Sequence, residues 1–204
     1  MKKKRGTRQL ASQIEKIKQL REETAAAMMD VKRALDESGG DLEGARRVLR
    51  ERGQAIAAKK SGREATEGVI EVYKHFNGRV GVLVEINCET DFVARTDDFQ
   101  RFTKNVALHI ASMKPLCVSE DDIPADALNE EREIAEKQAA EMNKPENITK
   151  QIVEGRMRKW TGEQALLTQG FAKDPDITVG QLLQDTIQKV GENVVIRRFV
   201  RYEL

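Results

Sequence analysis

The sequence predicts an α+β fold in two parts: an N-terminal three-helix unit, then an antiparallel-sheet core with packed helices. Three observations predict it. Apolar residues recur at helical spacing from Ile14 to Leu49. The pattern then changes to strict alternation in Val80, Val82, Val84 and Ile86, beyond an Asn77-Gly78 turn. Helical periodicity returns between these strands and a last apolar-rich segment at Val194, Ile196, Phe199 and Val200. Helices interleaved with an antiparallel sheet in this order give an α+β core.

The chain opens with the basic run Met1-Lys2-Lys3-Lys4-Arg5. The apolar stretch of a signal peptide does not follow it, so residues 1–13 are expected to form a solvated, frayed extension. Residues 14–53 carry three short helical stripes: Ile14, Ile17 and Leu20; Val31, Ala34 and Leu35; Leu42, Ala45, Val48 and Leu49. Gly39-Gly40 can stop the second helix, and Asp41 can cap the third by accepting from its free N–H groups. Helices this short must pack on one another to be stable. Gly53 and the polar run Lys59-Lys60-Ser61-Gly62-Arg63 predict a linker over 54–67.

The core is expected over 68–204. Val69, Ile70, Val72 and Tyr73 form one arm of a hairpin, and Val80 to Ile86 the other. Such strands need further partners, and Val194 to Val200 can supply a third, although Arg197-Arg198 interrupts the alternation. Phe99, Phe102, Val106 and Ile110 stripe a helix that Lys114-Pro115 should end. Asp126 to Met142 reads as a helix with few apolar positions, so it projects or packs at one end only. Ile148, Ile152 and Met157 mark another, and Thr178 with Gln181 forms a capping box before Val179, Leu182, Leu183, Ile187 and Val190.

Composition narrows the function. A chain of 204 residues can bury one good core and a small satellite. Charged residues make up 34% of it, yet the net charge is only +1; a nucleic-acid binder concentrates positive charge far more, so no direct nucleic-acid contact is required. No stretch approaches the roughly 18 apolar residues of a membrane span. Cys88 and Cys117 lie far apart without Cys or His at metal-site spacing, which argues against zinc and a disulfide framework and favours a reducing cytoplasm.

Catalytic signals are missing. There is no phosphate cradle of the P-loop type, no dinucleotide fingerprint and no His-rich metal motif, so no cofactor is expected. Neither His75 nor His109 has a sequence-local Cys or Ser partner. Glu85, Glu89 and Asp91 are close in sequence, but strand alternation spreads them, and crowded charge alone does not define a metal site. The chain therefore reads as a non-enzyme.

Binding features are more definite. Thr90-Asp91-Phe92-Val93 follows a strand and sets a carboxylate beside a large ring where the chain turns. The hydrophilic neighbours Glu89, Thr90 and Asp91 favour projection of Phe92 over burial. Met28 and Met29, read as lying in a turn after the first helix, are either polarizable contacts or plugs of the small bundle. Trp160 is either core or an interface anchor. His75 sits at the hairpin end, as a surface residue or part of a contact face.

Several segments resemble the elongation factor Ts family. They are Leu20-Arg21-Glu22-Glu23-Thr24 continuing to Met28-Met29-Asp30, Asn87-Cys88-Glu89-Thr90-Asp91-Phe92-Val93-Ala94, and Val153-Glu154-Gly155-Arg156-Met157. Phe171-Ala172-Lys173-Asp174-Pro175, Thr178-Val179 and Ile196-Arg197-Arg198-Phe199 add to them. The resemblance implies a ubiquitin-associated-like fold for 14–53, docking on elongation factor Tu, and a guanine-nucleotide exchange function. It implies that Asp91 and Phe92, flanked by Thr90 and Val93, enter the partner near its nucleotide, and that the hairpin bearing His75 makes further contacts. The partner would be bound in GDP-bound and nucleotide-free states. The short length resembles the compact bacterial form, which implies a homodimer. Ala25 and Ala27 replace glycines usual in the family, and Gly170 replaces a proline. The reading from another class is a noncatalytic adaptor of the translation machinery, which binds without accelerating GDP release.

Overall fold

The computed structural model describes the backbone of residues 2–24 and 26–204, with side chains from Gln13 onward. The helices are α1 (Lys2–Thr24), α2 (Met28–Glu37), α3 (Leu42–Lys60), α4 (Asp91–Ala94), α5 (Asp97–Met113), α6 (Ala125–Ala140), α7 (Glu146–Gln164) and α8 (Val179–Val190). The strands are β1 (Glu67–Lys74), β2 (Val80–Cys88), β3 (Gly170–Phe171), β4 (Asp174–Thr178) and β5 (Val194–Glu203).

Helices α1 to α3 enclose a small core of Leu20, Val31, Ala34, Leu35, Ala45 and Leu49. Gly39 and Gly40 reverse the chain with φ of +62° and +84°. Asp41 then caps α3, its carboxylate accepting the Gly44 N–H at 2.7 Å. Helix α1 begins at Lys2, far ahead of the apolar stripe, so its backbone is helical where the sequence predicted a frayed extension. The side chains of Lys2 to Arg5, and Ala25, lie outside the described residues.

A second boundary differs from the sequence reading. Helix α3 does not stop at Gly53 but runs on to Lys60, so the expected linker shrinks to residues 61–66. Gly53 is buried inside the helix, where a Cβ would lie 2.7 Å from Gln188 Oε1 on α8. A glycine within a helix costs about 1 kcal/mol; here its bare surface lets the two helices approach. Ala57, farther along α3, already belongs to the main core.

The main sheet has the order β1-β2-β5, antiparallel throughout. Arg197 does not break β5. Glu85 pairs with Arg198 and Ile86 with Ile196, so Arg197 is the extra residue of a bulge that restores the alternation. Gly68 lies at φ +144°, and a Cβ there would sit 2.2 Å from the Ile86 carbonyl oxygen. Only glycine fits so close to the neighbouring strand.

One face of the sheet buries Val82, Val84, Ile86 and Cys88 of β2 with Val194 and Ile196 of β5. Helix α5 covers this face through Phe99, Phe102, Val106 and Ile110, joined by Val179 and Ile187 of α8. Each large side chain so buried contributes roughly 1.5–3 kcal/mol. Helices α6 and α7 pair around a separate cluster of Ala135, Ala139, Val153 and Met157, against which Trp160 packs half-buried. The capping box at Thr178 and Gln181 forms at the start of α8. The short β3–β4 hairpin just before it carries too little apolar alternation to be read from sequence.

Candidate partner-contact site

Strand β2 delivers the chain to the contact segment. Its last residue, Cys88, is fully buried, and burial pushes its thiol up to about 11. The protonated sulfur donates to the Thr90 carbonyl at 3.1 Å, holding the turn at its root. Thr90 is extended (φ −132°, ψ 154°) and caps α4, its Oγ1 accepting the Val93 N–H at 3.4 Å.

One helical turn then sorts four residues into two faces. Val93 and Ala94 face the core, while Phe92 is 76% exposed and the Asp91 carboxylate is half-exposed. The far end of the turn is tied as well: Thr96 Oγ1 donates to the Val93 carbonyl at 2.8 Å, and Gln100 Nε2 to the Ala94 carbonyl at 2.7 Å. An apolar ring is thus held in water on a fixed base. Asp91 forms an exposed ion pair with Arg95 at 2.7 Å, which is worth little in solvent and is readily exchanged for a partner's donor. Val93, expected among the contact residues, is corrected to a core position at 9% exposure; it anchors the turn because a residue two positions on from Asp91 lies on the opposite side of the helix.

Met28 and Met29 are the first two residues of α2, not part of a turn, and each is 57% exposed. The residues this helix buries are Val31, Ala34 and Leu35. The core-plug alternative therefore falls away for both. Ala27, at the N-cap, offers no side-chain acceptor, and the Asp30 N–H turns back to the Ala27 carbonyl at 2.9 Å.

His75 lies at the β1–β2 hairpin tip, its Nδ1 2.9 Å from the Tyr73 hydroxyl. Beside it Phe76 is 94% exposed, with its ring centroid 4.4 Å from that of His75. Sequence reasoning missed Phe76, although an aromatic next to Asn77-Gly78 in a tight turn has nowhere to be buried. The tip and the Thr90 turn stand at opposite ends of β2, about 27 Å apart for a strand of this length. Helix α2 packs on α1 and α3, whereas α4 packs on β1, β2 and α5. The sequence-derived contact residues thus form three separate projections, not one patch.

The opposite face of the sheet is unusual. An antiparallel sheet with one solvated side normally places polar residues there, but Ile70, Val72, Leu83, Val200 and Tyr202 are exposed on it. Glu85 and Arg198, paired at 2.7 Å, share this face.

His109 lies on the core side of α5. It is fully buried, accepts the Ala172 N–H on Nδ1 at 3.1 Å, and donates from Nε2 to Gln169 Oε1 at 2.9 Å. Burial lowers its pKa and keeps it neutral. Among the described residues, no group of three or more His, Cys, Asp or Glu is placed to hold a metal ion, and no helix is long and apolar enough to cross a membrane. A groove of about 360 Å³ between α3, α8 and β5 is lined by apolar, hydroxyl and amide residues such as Ala57, Leu183, Ile187 and Asn193, with no titratable side chain.

The family profile described as Elongation factor TS matches residues 7–204. The chain is similar to elongation factor Ts of Rubrobacter xylanophilus, 78% identical over 195 residues that span 96% of this chain and 100% of the relative. It is also similar to elongation factor Ts of Carboxydothermus hydrogenoformans, 55% identical over 92% of this chain and 87% of the relative. Elongation factor Ts of a Thermoanaerobacter species is 53% identical over 92% of both chains.

Proposed function

The chain belongs to the elongation factor Ts family, and on that premise we propose that it is a guanine-nucleotide exchange factor, promoting GDP release from elongation factor Tu during translation elongation. The observation that carries this reading is Phe92, a ring held in solvent beside a carboxylate on a turn whose other two residues are anchored in the core. Inserted into a partner pocket, the ring gains roughly 1.5–3 kcal/mol of apolar burial.

Exchange requires no covalent chemistry. The factor binds the partner conformation in which nucleotide contacts are weakened, and by reciprocity the nucleotide weakens the factor's hold. Each tenfold change in nucleotide affinity corresponds to about 1.4 kcal/mol of coupling, which falls within what one ring and one carboxylate can supply. In this reading Asp91 and Phe92 act near the nucleotide, Met28 and Met29 hold the partner in register, and the His75–Phe76 tip makes a third contact. Both the GDP-bound and nucleotide-free partner are engaged.

The apolar outer sheet face supports a homodimer. A two-fold axis through it sets Leu83 and Val200 against their own copies, and the interface closes on itself. A cytoplasmic location follows from the family's place in translation. The decisive measurement is stopped-flow release of fluorescent GDP from purified elongation factor Tu. Release accelerated by this chain in proportion to complex formed is expected; binding without acceleration identifies an adaptor instead.

A further inference from the structure

Thr90 is gripped by a residue far away in sequence. The Glu192 carboxylate, just past the end of α8, accepts the Thr90 backbone N–H at 2.9 Å and the Thr90 hydroxyl at 2.7 Å. The adjacent contact runs the other way: Glu89 Oε1 accepts the Asn193 N–H at 2.6 Å. Two consecutive residues after β2 therefore meet two consecutive residues before β5, each pair giving one carboxylate and one backbone donor. Asn193 Nδ2 also donates to the Arg63 carbonyl at 2.8 Å, drawing the α3–β1 connection into the same clasp. Gly191, at φ +78°, ends α8 in the left-handed conformation that sends the chain into this clasp.

The contact has a directional consequence. A hydroxyl gives one proton and receives through its lone pairs. With the Thr90 proton committed to Glu192, a lone pair of the same oxygen is left for the Val93 N–H, the bond that caps α4. Bonds to a carboxylate are short and strong compared with neutral ones. Val93 and Ala94 supply the burial that keeps α4 on the core, so the clasp is left to set the angle at which the turn leaves the strand.

We propose that Glu192 is a positioning residue for nucleotide exchange: acting through Thr90, it fixes the direction in which Asp91 and Phe92 project toward the partner. This deepens the exchange reading above and rests on it. Glu192 touches neither partner nor nucleotide in this assignment, and its effect falls on the exchange step rather than on the grip.

The test is stimulated release of fluorescent GDP from purified elongation factor Tu across concentrations of the full chain, separating maximal rate from half-saturating concentration. Glu192→Gln keeps the side-chain size but places an amide N–H₂ where an acceptor stood. The maximal rate is expected to fall about tenfold, as for loss of one charge-assisted hydrogen bond, with half-saturation shifted by less than about twofold. Thr90→Val reads the same contact from its other side and gives the same kind of loss. The double variant loses less than the product of the two single losses, because the hydroxyl–carboxylate bond is common to both. Glu192→Asp, with both oxygens on a shorter stem, recovers part of the rate.

An unchanged maximal rate for Glu192→Gln overturns the assignment. So do additive losses in the double variant, a loss confined to half-saturation, or losses that track melting temperature across the variants. A wild-type chain that binds without accelerating release is a separate failure, which removes the exchange reading and this assignment together.

Discussion

Phe92 and Val93 are consecutive residues on one helical turn that face opposite ways, the first 76% exposed and the second 9%. Their side chains therefore answer to different selections. Phe92→Ala removes area that the free protein leaves in water, so thermal unfolding is expected to stay within about 0.5 kcal/mol of wild type, while stimulated GDP release collapses. Val93→Ala opens a cavity in the main core and costs about 1–3 kcal/mol. Equal stability losses for the two variants in denaturant titrations contradict the division.

Met28 and Met29 expose polarizable side chains at the start of α2. Replacing both with Ser is expected to weaken association with elongation factor Tu about tenfold in titration calorimetry, as for interface anchors of moderate weight. The helical circular-dichroism signal should not change. Loss of that signal places the pair in the small bundle's core after all.

The outer sheet face leaves Ile70, Val72, Leu83, Val200 and Tyr202 exposed, the surface that the proposed dimer would bury. Leu83→Arg sets like charges against each other across a two-fold axis and is expected to shift the protein from dimer to monomer in light scattering. A wild-type chain that scatters as a monomer at every accessible concentration removes the dimer.

His109 makes stability depend on pH in a defined direction. Burial lowers its folded pKa below the unfolded value near 6.5, so the unfolded chain binds a proton more readily. Its stabilising neutral state is intact above about pH 6.5 and is lost progressively as pH falls from there through the depressed folded pKa. Protonation also removes the acceptor for the Ala172 N–H, loosening the β3–β4 hairpin. Melting temperature measured from pH 7.5 to 5 should fall more steeply for wild type than for His109→Gln. Parallel curves contradict the assignment.

Much of this was legible in the residues. Alternation at Val82, Val84 and Ile86 gave the sheet and its buried face, and Asp41 and Thr178 marked helix starts, because those signals are local. The exposure of Phe92 could be argued from its polar neighbours alone. What escaped the sequence depended on distant packing. Gly53 reads as a breaker until Gln188 is seen beside it, and the inward turn of Val93 needs the helical phase of α4, which four residues cannot declare. The Glu192–Thr90 contact joins positions 102 apart, and no local pattern announces such a pairing. Met28 and Met29 read as turn residues in the sequence because Ala27, without a capping side chain, leaves the helix start unmarked.

Helix α3 is shared property: Leu49 belongs to the small N-terminal core and Ala57 to the main one, eight residues and about 12 Å along the same rod. The N-terminal bundle is thus not a bead on a string but the handle of a single tool. The rod lies against α8 where Gly53 faces Gln188, four residues before the Glu192 that holds Thr90.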